Sequence, residues 1–145
     1  MDPRSNAPVV PGTTGLNALL WFIQVFLAIQ FLIHGWIFIS PPAVMAEAMA
    51  GMGLSPGFRQ FIGFAEVLAS IGLVLPGLTR ILPWLTPLAA LGLVIVMASA
   101  TIFHISRNEV PSASSTANLL VLVAVTAYLR WKVVPIRSRA PNEAA

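Results

Sequence analysis

The chain has 145 residues and a formal net charge of +3, and only 9% of its residues are charged against 57% that are hydrophobic. An average soluble domain carries about 25% charged residues, so this composition excludes a soluble enzyme, a disordered segment and a nucleic-acid-binding module. Together with a mean hydropathy of +0.86 it predicts an integral membrane protein. The sequence has no cysteine, which excludes a disulfide framework, a thiolate zinc site and thiol-based redox chemistry.

Four apolar segments follow a flexible N-terminal tail that is predicted over residues 1–15. Each segment is close to the roughly 20 residues that a helix needs to cross the hydrocarbon core. None alternates between apolar and polar residues as the strands of a membrane barrel do. We predict a transmembrane domain over residues 16–134 and a basic C-terminal tail over 135–145. The four predicted spans are about 16–39, 58–75, 84–105 and 116–134.

The segment between the first two spans has helical features of its own. Ser40 followed by two prolines is typical of a helix start, Gly51 is typical of a helix end, and apolar residues recur between them at helical spacing. We expect a short interfacial helix or a re-entrant segment that covers the mouth of the bundle, with an ordered loop as the alternative.

The basic residues predict how the four spans are oriented. One side of the membrane, which holds both termini, carries Arg4, Arg80, Arg130, Lys132, Arg137 and Arg139, and the other side carries Arg59 and Arg107. Because cytoplasmic segments carry the excess of Lys and Arg, both termini are expected in the cytoplasm. The predicted fold class is therefore an all-α, four-helix bundle that is integral to the plasma (inner) membrane. Its basic C-terminal residues are expected to contact anionic lipid rather than nucleic acid.

Polar residues inside the spans give the main functional signal. Glu66 lies eight residues into the second span, and no other acidic residue falls inside a span. A charge at the centre of a membrane helix costs at least about 2.5–3.5 kcal/mol, so Glu66 must be neutral or paired with a base. The other polar residues that map to the same outer half are His34, His104, Arg107 and Asn118, while Gln30 and Ser70 share the helix faces of His34 and Glu66. If these faces turn inward, the bundle has a polar pocket that opens outward, above an apolar cytoplasmic half.

Structural roles for the same residues are the alternative. His34 can be a packed histidine that bonds a neighbour, His104 and Asn118 can be interfacial, and Gln30 can link helices. A metal site is not predicted, because the two histidines and Glu66 show no ligand-specific spacing such as HExxH. The convergence on one half of the membrane favours ligand binding or proton relay, with the question of catalysis left open.

The motifs within the spans resemble those of a known family. The second span contains the pattern G-x-x-E-x-x-x-x-x-x-L-x-x-P, which runs from Gly63 to Pro76 with Glu66 as its acid. His34 is followed by Gly near the end of the first span, and residues 98–104 end the third span before a short polar loop. In these features the chain resembles the DoxX-like membrane proteins over residues 21–131. It departs from better-defined branches in having Trp36 where a Lys often follows the Gly.

This resemblance implies a small four-helix membrane protein. Named members of the family resemble subunits of a thiosulfate:quinone oxidoreductase or membrane partners in oxidant defence, and distant eukaryotic relatives act as assembly chaperones or cargo receptors. We therefore expect a quinone or isoprenoid-like ligand in the polar pocket and an accessory role in a redox or membrane complex. The alternatives are a small proton-coupled transporter and a structural or chaperone subunit. The expected partners are membrane lipids and either a membrane complex or a second copy of the chain.

Overall fold

The computed structural model describes residues 13–138, and this part of the chain is helical without strands. The helices are α1 (Thr13–Ile39), α2 (Ala43–Gly51), α3 (Pro56–Thr79), α4 (Leu85–Ser106) and α5 (Val110–Tyr128), and a π-helical turn (Leu129–Val133) continues α5. Most of the predicted N-terminal tail, including Arg4, and the end of the predicted C-terminal tail, including Arg139, lie outside the described residues.

Four of the helices are long and apolar enough to cross a membrane. α1 alone has 27 residues, or about 40 Å at 1.5 Å per residue, against a hydrocarbon core of about 30 Å. Many of their large apolar side chains are exposed on the bundle surface, as lipid-facing side chains are. The predictions of an all-helical fold and of four membrane-spanning helices are confirmed. The short α2 occupies the position predicted for a helix between the first two spans.

The long helices pack in chain order, α1 on α3, α3 on α4 and α4 on α5, and α5 returns to contact α1. Buried apolar side chains from all four form one core, which consists of Leu27, Phe31, Leu73, Ala90, Leu93, Met97, Val123 and Ala127. These side chains pack against one another in the middle of the bundle.

Two glycines bring α1 and α3 into close contact. A Cβ atom added to Gly35 would lie 2.7 Å from the Gly63 carbonyl oxygen, and one added to Gly63 would lie 2.6 Å from the Gly35 carbonyl oxygen. Only residues without a side chain allow two helix backbones to approach this closely. As a consequence, His34, which precedes Gly35 on α1, reaches Glu66, which lies about one turn after Gly63 on α3.

Two helix boundaries differ from those expected from the sequence. α3 continues through Pro76 to Thr79 instead of ending before Pro76. A proline removes one backbone hydrogen bond, and a membrane helix tolerates this when neighbouring groups bond the freed carbonyls. The Gln24 Nε2 of α1 donates to the Leu73 carbonyl oxygen at 2.6 Å, next to the Gly72 carbonyl that Pro76 leaves without its helical donor. α5 begins at Val110, six residues before its predicted start, because Pro111 in its first turn is compatible with a helix N-terminus.

Candidate functional site

Glu66 lies on the inner face of α3 and is completely buried. The buried residues Gly63, Glu66, Ser70 and Leu73 recur at a spacing of three or four, which places them on one face of the helix. The Ser70 hydroxyl donates to the backbone carbonyl of Glu66 at 2.8 Å and not to its carboxylate. The predicted candidate Ser70 therefore adjoins Glu66 without binding its carboxyl group.

The Glu66 carboxylate is paired with His34 of α1. His34 Nδ1 and Glu66 Oε2 lie 2.6 Å apart, which is the distance of a short hydrogen bond. The two side chains differ sharply in exposure, since 48% of the His34 side chain is exposed against 1% of that of Glu66. The Phe38 ring, one turn further along α1, lies 4.3 Å from the imidazole and packs against it. The pair thus joins a buried acid to the surface of the bundle through one imidazole ring.

The second carboxylate oxygen of Glu66 has no assigned bond. Oε1 is buried and has no hydrogen-bond partner within residues 13–138. A buried polar atom without a partner costs about 1–3 kcal/mol. A buried acid with one oxygen unpartnered is therefore energetically unfavourable for a purely structural residue, and such groups are candidates for a functional role.

Contacts between the end of α1 and the start of α3 hold the two helices together near the His34–Glu66 pair. The Arg59 guanidinium donates to the Phe38 carbonyl oxygen, and Gln60 Nε2 donates to the Ile39 carbonyl oxygen at 3.4 Å. The last carbonyls of a helix have no partners within the helix and carry partial negative charge, so a cation there stabilises the helix end. These contacts set the register of α1 against α3 on the side of His34 and Glu66.

His104 and Arg107 form a second cluster instead of joining Glu66. His104 Nδ1 lies 2.6 Å from Glu109 Oε2, and Arg107 Nε donates to Glu109 Oε1 at 2.8 Å. The hydrogen bond from Arg107, and secondarily that from His104, lowers the pKa of Glu109 below its ordinary value. Arg107 Nη2 also donates to the Gly51 carbonyl oxygen at 3.2 Å, which ties α2 to the turn between α4 and α5.

Gln30 and Asn118 lie on exposed surfaces of the long helices. Gln30 is one helical turn before His34 on α1, and Asn118 is on α5. Of the seven residues predicted to form one pocket, the structure thus brings His34, Glu66 and Ser70 together and places His104 and Arg107 in a separate hydrogen-bonded group. The part that each plays in ligand binding stays a prediction.

Sequence reasoning missed a buried arginine. Arg130 was assigned to the basic side of the membrane, but it is only 2% exposed. Its Nε donates to Gln24 Oε1 at 2.5 Å and its Nη1 donates to Asn17 Oδ1 at 2.7 Å, so it links α5 to α1. Arg130 follows Val123 and Thr126 at spacings of seven and four, so it continues the face of α5 that the structure buries.

The comparison with known proteins gives the family. A model of the DoxX-like family matches residues 22–128. The chain belongs to the DoxX-like family. The match extends from within α1 to the end of α5, and it includes both His34 and Glu66. No curated protein and no solved structure matches the chain at a significant level.

The chemistry available to this DoxX-like protein follows from its two His–carboxylate pairs. Within residues 13–138 no group of three His, Asp or Glu side chains is placed to hold a metal ion. The His34–Glu66 pair lies inside the spans, whereas Glu109 lies in the turn between α4 and α5. The pair within the membrane can transfer a proton between a buried carboxyl group and a ligand at the bundle surface.

Proposed function

We propose that this DoxX-like protein binds the head group of a quinone or a related isoprenoid ligand at the His34–Glu66 pair. The observation that carries the proposal is the 2.6 Å contact between a fully buried carboxylate and a half-exposed imidazole inside the membrane-spanning helices. A buried carboxyl group in a membrane helix is costly and is typical of a functional site. The imidazole gives a ligand in the lipid access to that carboxyl group.

The packed core directs the ligand to the outside of α1. Buried side chains such as Leu27, Phe31 and Leu73 pack together in the interior of the bundle, so we place the isoprenoid tail outside it. Apolar side chains of α1 such as Ile29 and Ile33 are exposed within the last turns before His34 and offer a tail a lipid-facing surface. Gln30 lies one turn, or about 6 Å, before His34 and can bond a second polar atom of the head group.

Hydrogen bonding and proton transfer are the contributions that we assign to the pair. With Nδ1 engaged by Glu66, His34 keeps Nε2 for a carbonyl or hydroxyl oxygen of the ligand. Glu66 then stabilises the imidazolium that forms when His34 takes a proton from a quinol hydroxyl. Because the chain has no cysteine for thiol-based electron transfer, we assign it an accessory role beside a redox partner in the inner membrane.

Native mass spectrometry of the purified protein, followed by titration with a short-tailed ubiquinone, tests this proposal. Glu66→Gln keeps the size of the side chain and removes its charge, and the matched control is Glu109→Gln in the other His–Glu pair. A hydrogen bond to a charged group contributes about 1.5–3 kcal/mol, so Glu66→Gln should weaken binding by about 10-fold to 100-fold. Glu109→Gln should leave the affinity unchanged.

The outcomes separate the three functions. Wild-type affinity in a folded Glu66→Gln variant would overturn the role of the pair. Flux driven by a pH gradient in proteoliposomes, lost in Glu66→Gln, would instead identify a proton-coupled transporter. Co-purification of a protein partner without any retained quinone would identify a structural or chaperone subunit.

A further inference from the structure

We infer that the end of the bundle opposite to His34 holds a binding groove for the phosphate of an anionic phospholipid. The basic end, as we call it, carries Arg80, Arg130, Lys132 and Arg137. This inference rests on different residues from the proposed quinone site and does not depend on it.

The groove lies between the start of α1, the end of α3 and the segment that follows the π-helical turn. It has a volume of about 630 Å³, and its lining includes Asn17, Trp21, Leu78, Arg80, Val134 and Arg137. Trp21 forms one wall by packing against Gly77, where an added Cβ would lie 2.8 Å from the indole. The groove is therefore a shaped site that combines an aromatic wall, an apolar side chain and two guanidinium groups.

Its electrostatic potential is positive. Within residues 13–138 neither Arg80 nor Arg137 forms an ion pair. The acidic residues of the same range are Glu47, Glu66 and Glu109, and they lie in α2, in α3 and in the turn between α4 and α5. Glu66, the acidic residue on the same helix as Arg80, precedes it by 14 residues, or about 20 Å along α3, which is too far for an ion pair.

The buried Arg130 is the observation that points to a ligand. Its guanidinium donates to Asn17 and lies 5.4 Å from the Trp21 ring, and both of these residues line the groove. The bonds of Arg130 go to neutral oxygens, and its Nη2 is buried without a hydrogen-bond partner in the described range. A buried charge without a counter-ion is strongly unfavourable. An anion held in the groove beside Asn17 and Trp21 would offset that cost.

The backbone conformation around Arg130 is also typical of a functional site. The Val134 amide donates to the Leu129 carbonyl oxygen at 2.7 Å, which closes a π-helical turn around Arg130. Single π-turns are rare and occur frequently at functional sites. Here the turn ends α5 and leads directly into Val134 and Arg137, which line the groove.

The position of the groove favours a lipid phosphate over a soluble anion. Trp84 and Trp131 are more than half exposed and lie at the same end of the bundle, as tryptophans at a membrane interface do. Leu78 combines an exposed apolar side chain with a place in the groove lining, which suits the first carbons of an acyl chain. Basic pockets at the ends of membrane helices bind phosphorylated head groups in this way.

Lipid titration of the protein in detergent, followed by native mass spectrometry, tests the inference. The probes are phosphatidylglycerol and phosphatidylcholine, each measured at an ionic strength of about 0.15 M, and the Lys132→Gln control accounts for diffuse attraction. Each arginine near an anionic lipid surface contributes about 5-fold in affinity, so the Arg80→Gln, Arg137→Gln double variant should bind phosphatidylglycerol about 30-fold more weakly. Lys132→Gln is the matched control, because Lys132 is exposed at the same end but does not line the groove.

The inference holds if the double variant loses affinity for phosphatidylglycerol, Lys132→Gln changes it less than about 2-fold, and phosphatidylcholine binds equally to all three proteins. It is overturned if the double variant and Lys132→Gln behave alike. Displacement of phosphatidylglycerol by millimolar inorganic phosphate would also overturn it, because the groove would then be a site for a free anion. Arg130→Gln, measured only where the protein remains folded, should lower the affinity in the same direction as the double variant.

Discussion

The close contact between α1 and α3 can be tested with two glycine substitutions of opposite expected sign. In Gly63→Ala the new Cβ would lie 2.6 Å from the Gly35 carbonyl oxygen and 3.0 Å from the Ile39 backbone nitrogen. Both are backbone atoms that cannot rotate away, so α1 and α3 must separate. In Gly92→Ala the new Cβ meets nothing within 4 Å, and the residue lies on an exposed face of α4.

Both substitutions gain helix propensity, but only Gly63→Ala also introduces overpacking. Replacing Gly by Ala within a helix stabilises it by roughly 0.5–1 kcal/mol, and this gain applies to both sites. Overpacking costs about 1–3 kcal/mol and applies only to Gly63. We therefore expect Gly92→Ala to raise the free energy of unfolding by somewhat under 1 kcal/mol. The free energy of unfolding of Gly63→Ala should be about 1–3 kcal/mol lower than that of Gly92→Ala. Both variants share the gain in helix propensity, so the difference between them is the cost of overpacking.

Unfolding in mixed detergent micelles, followed by tryptophan fluorescence, measures this difference. The same variants report on the site, because separation of α1 from α3 lengthens the 2.6 Å contact between His34 and Glu66. Gly63→Ala should therefore also weaken quinone binding, whereas Gly92→Ala should not. Equal stability of the two variants, together with equal ligand affinity, would refute the reasoning that glycine packing sets the geometry of the pair.

Three further predictions concern other parts of the chain. The lowered pKa of Glu109 means that its contribution to stability is fully present above the ordinary glutamate pKa and is lost as the pH falls through the lowered value. A pH series of unfolding experiments should show this loss in acid, and Glu109→Gln should remove it. Arg130→Met and Gln24→Leu each break the hydrogen bond between these two side chains, so the effect of the double substitution on stability should differ from the sum of the two single effects by about 0.5–3 kcal/mol. Single cysteines at Ser106 and Ser138 should be labelled in intact cells by an impermeant thiol reagent at Ser106 only, since both termini are expected in the cytoplasm.

Each of these experiments has a result that contradicts it. Identical acid sensitivity of the wild type and Glu109→Gln would show that the pair with His104 does not contribute to stability. Additive effects of the Arg130 and Gln24 substitutions would show that the two side chains act independently. Labelling at Ser138 in intact cells would reverse the predicted orientation, and the absence of native cysteine makes either label unambiguous.

The number of spans and the family could be predicted from the sequence because both depend on local properties. A run of about 20 apolar residues is sufficient for a membrane helix whatever its neighbours are. The motif around Glu66 that resembles the DoxX-like pattern is also local, because its residues lie within one short segment of the chain. The family model confirms the family that this motif predicts. The helix limits were less accurate, because Pro76 and Pro111 act differently in a helix interior and in a first turn.

The partners of the polar side chains depended on the tertiary structure. Sequence spacing placed two histidines in the same half of the membrane as Glu66, but only the packing of Gly35 on Gly63 decides that His34 is the one in contact. His104 instead pairs with Glu109, which is five residues away across a turn whose path the sequence does not fix. The sequence does not distinguish Arg130 from any other basic residue near a helix end. Arg130 is buried because α5 packs back against α1. Hydrophobicity determines which segments enter the membrane, whereas the close fit between helix faces determines which polar groups meet there.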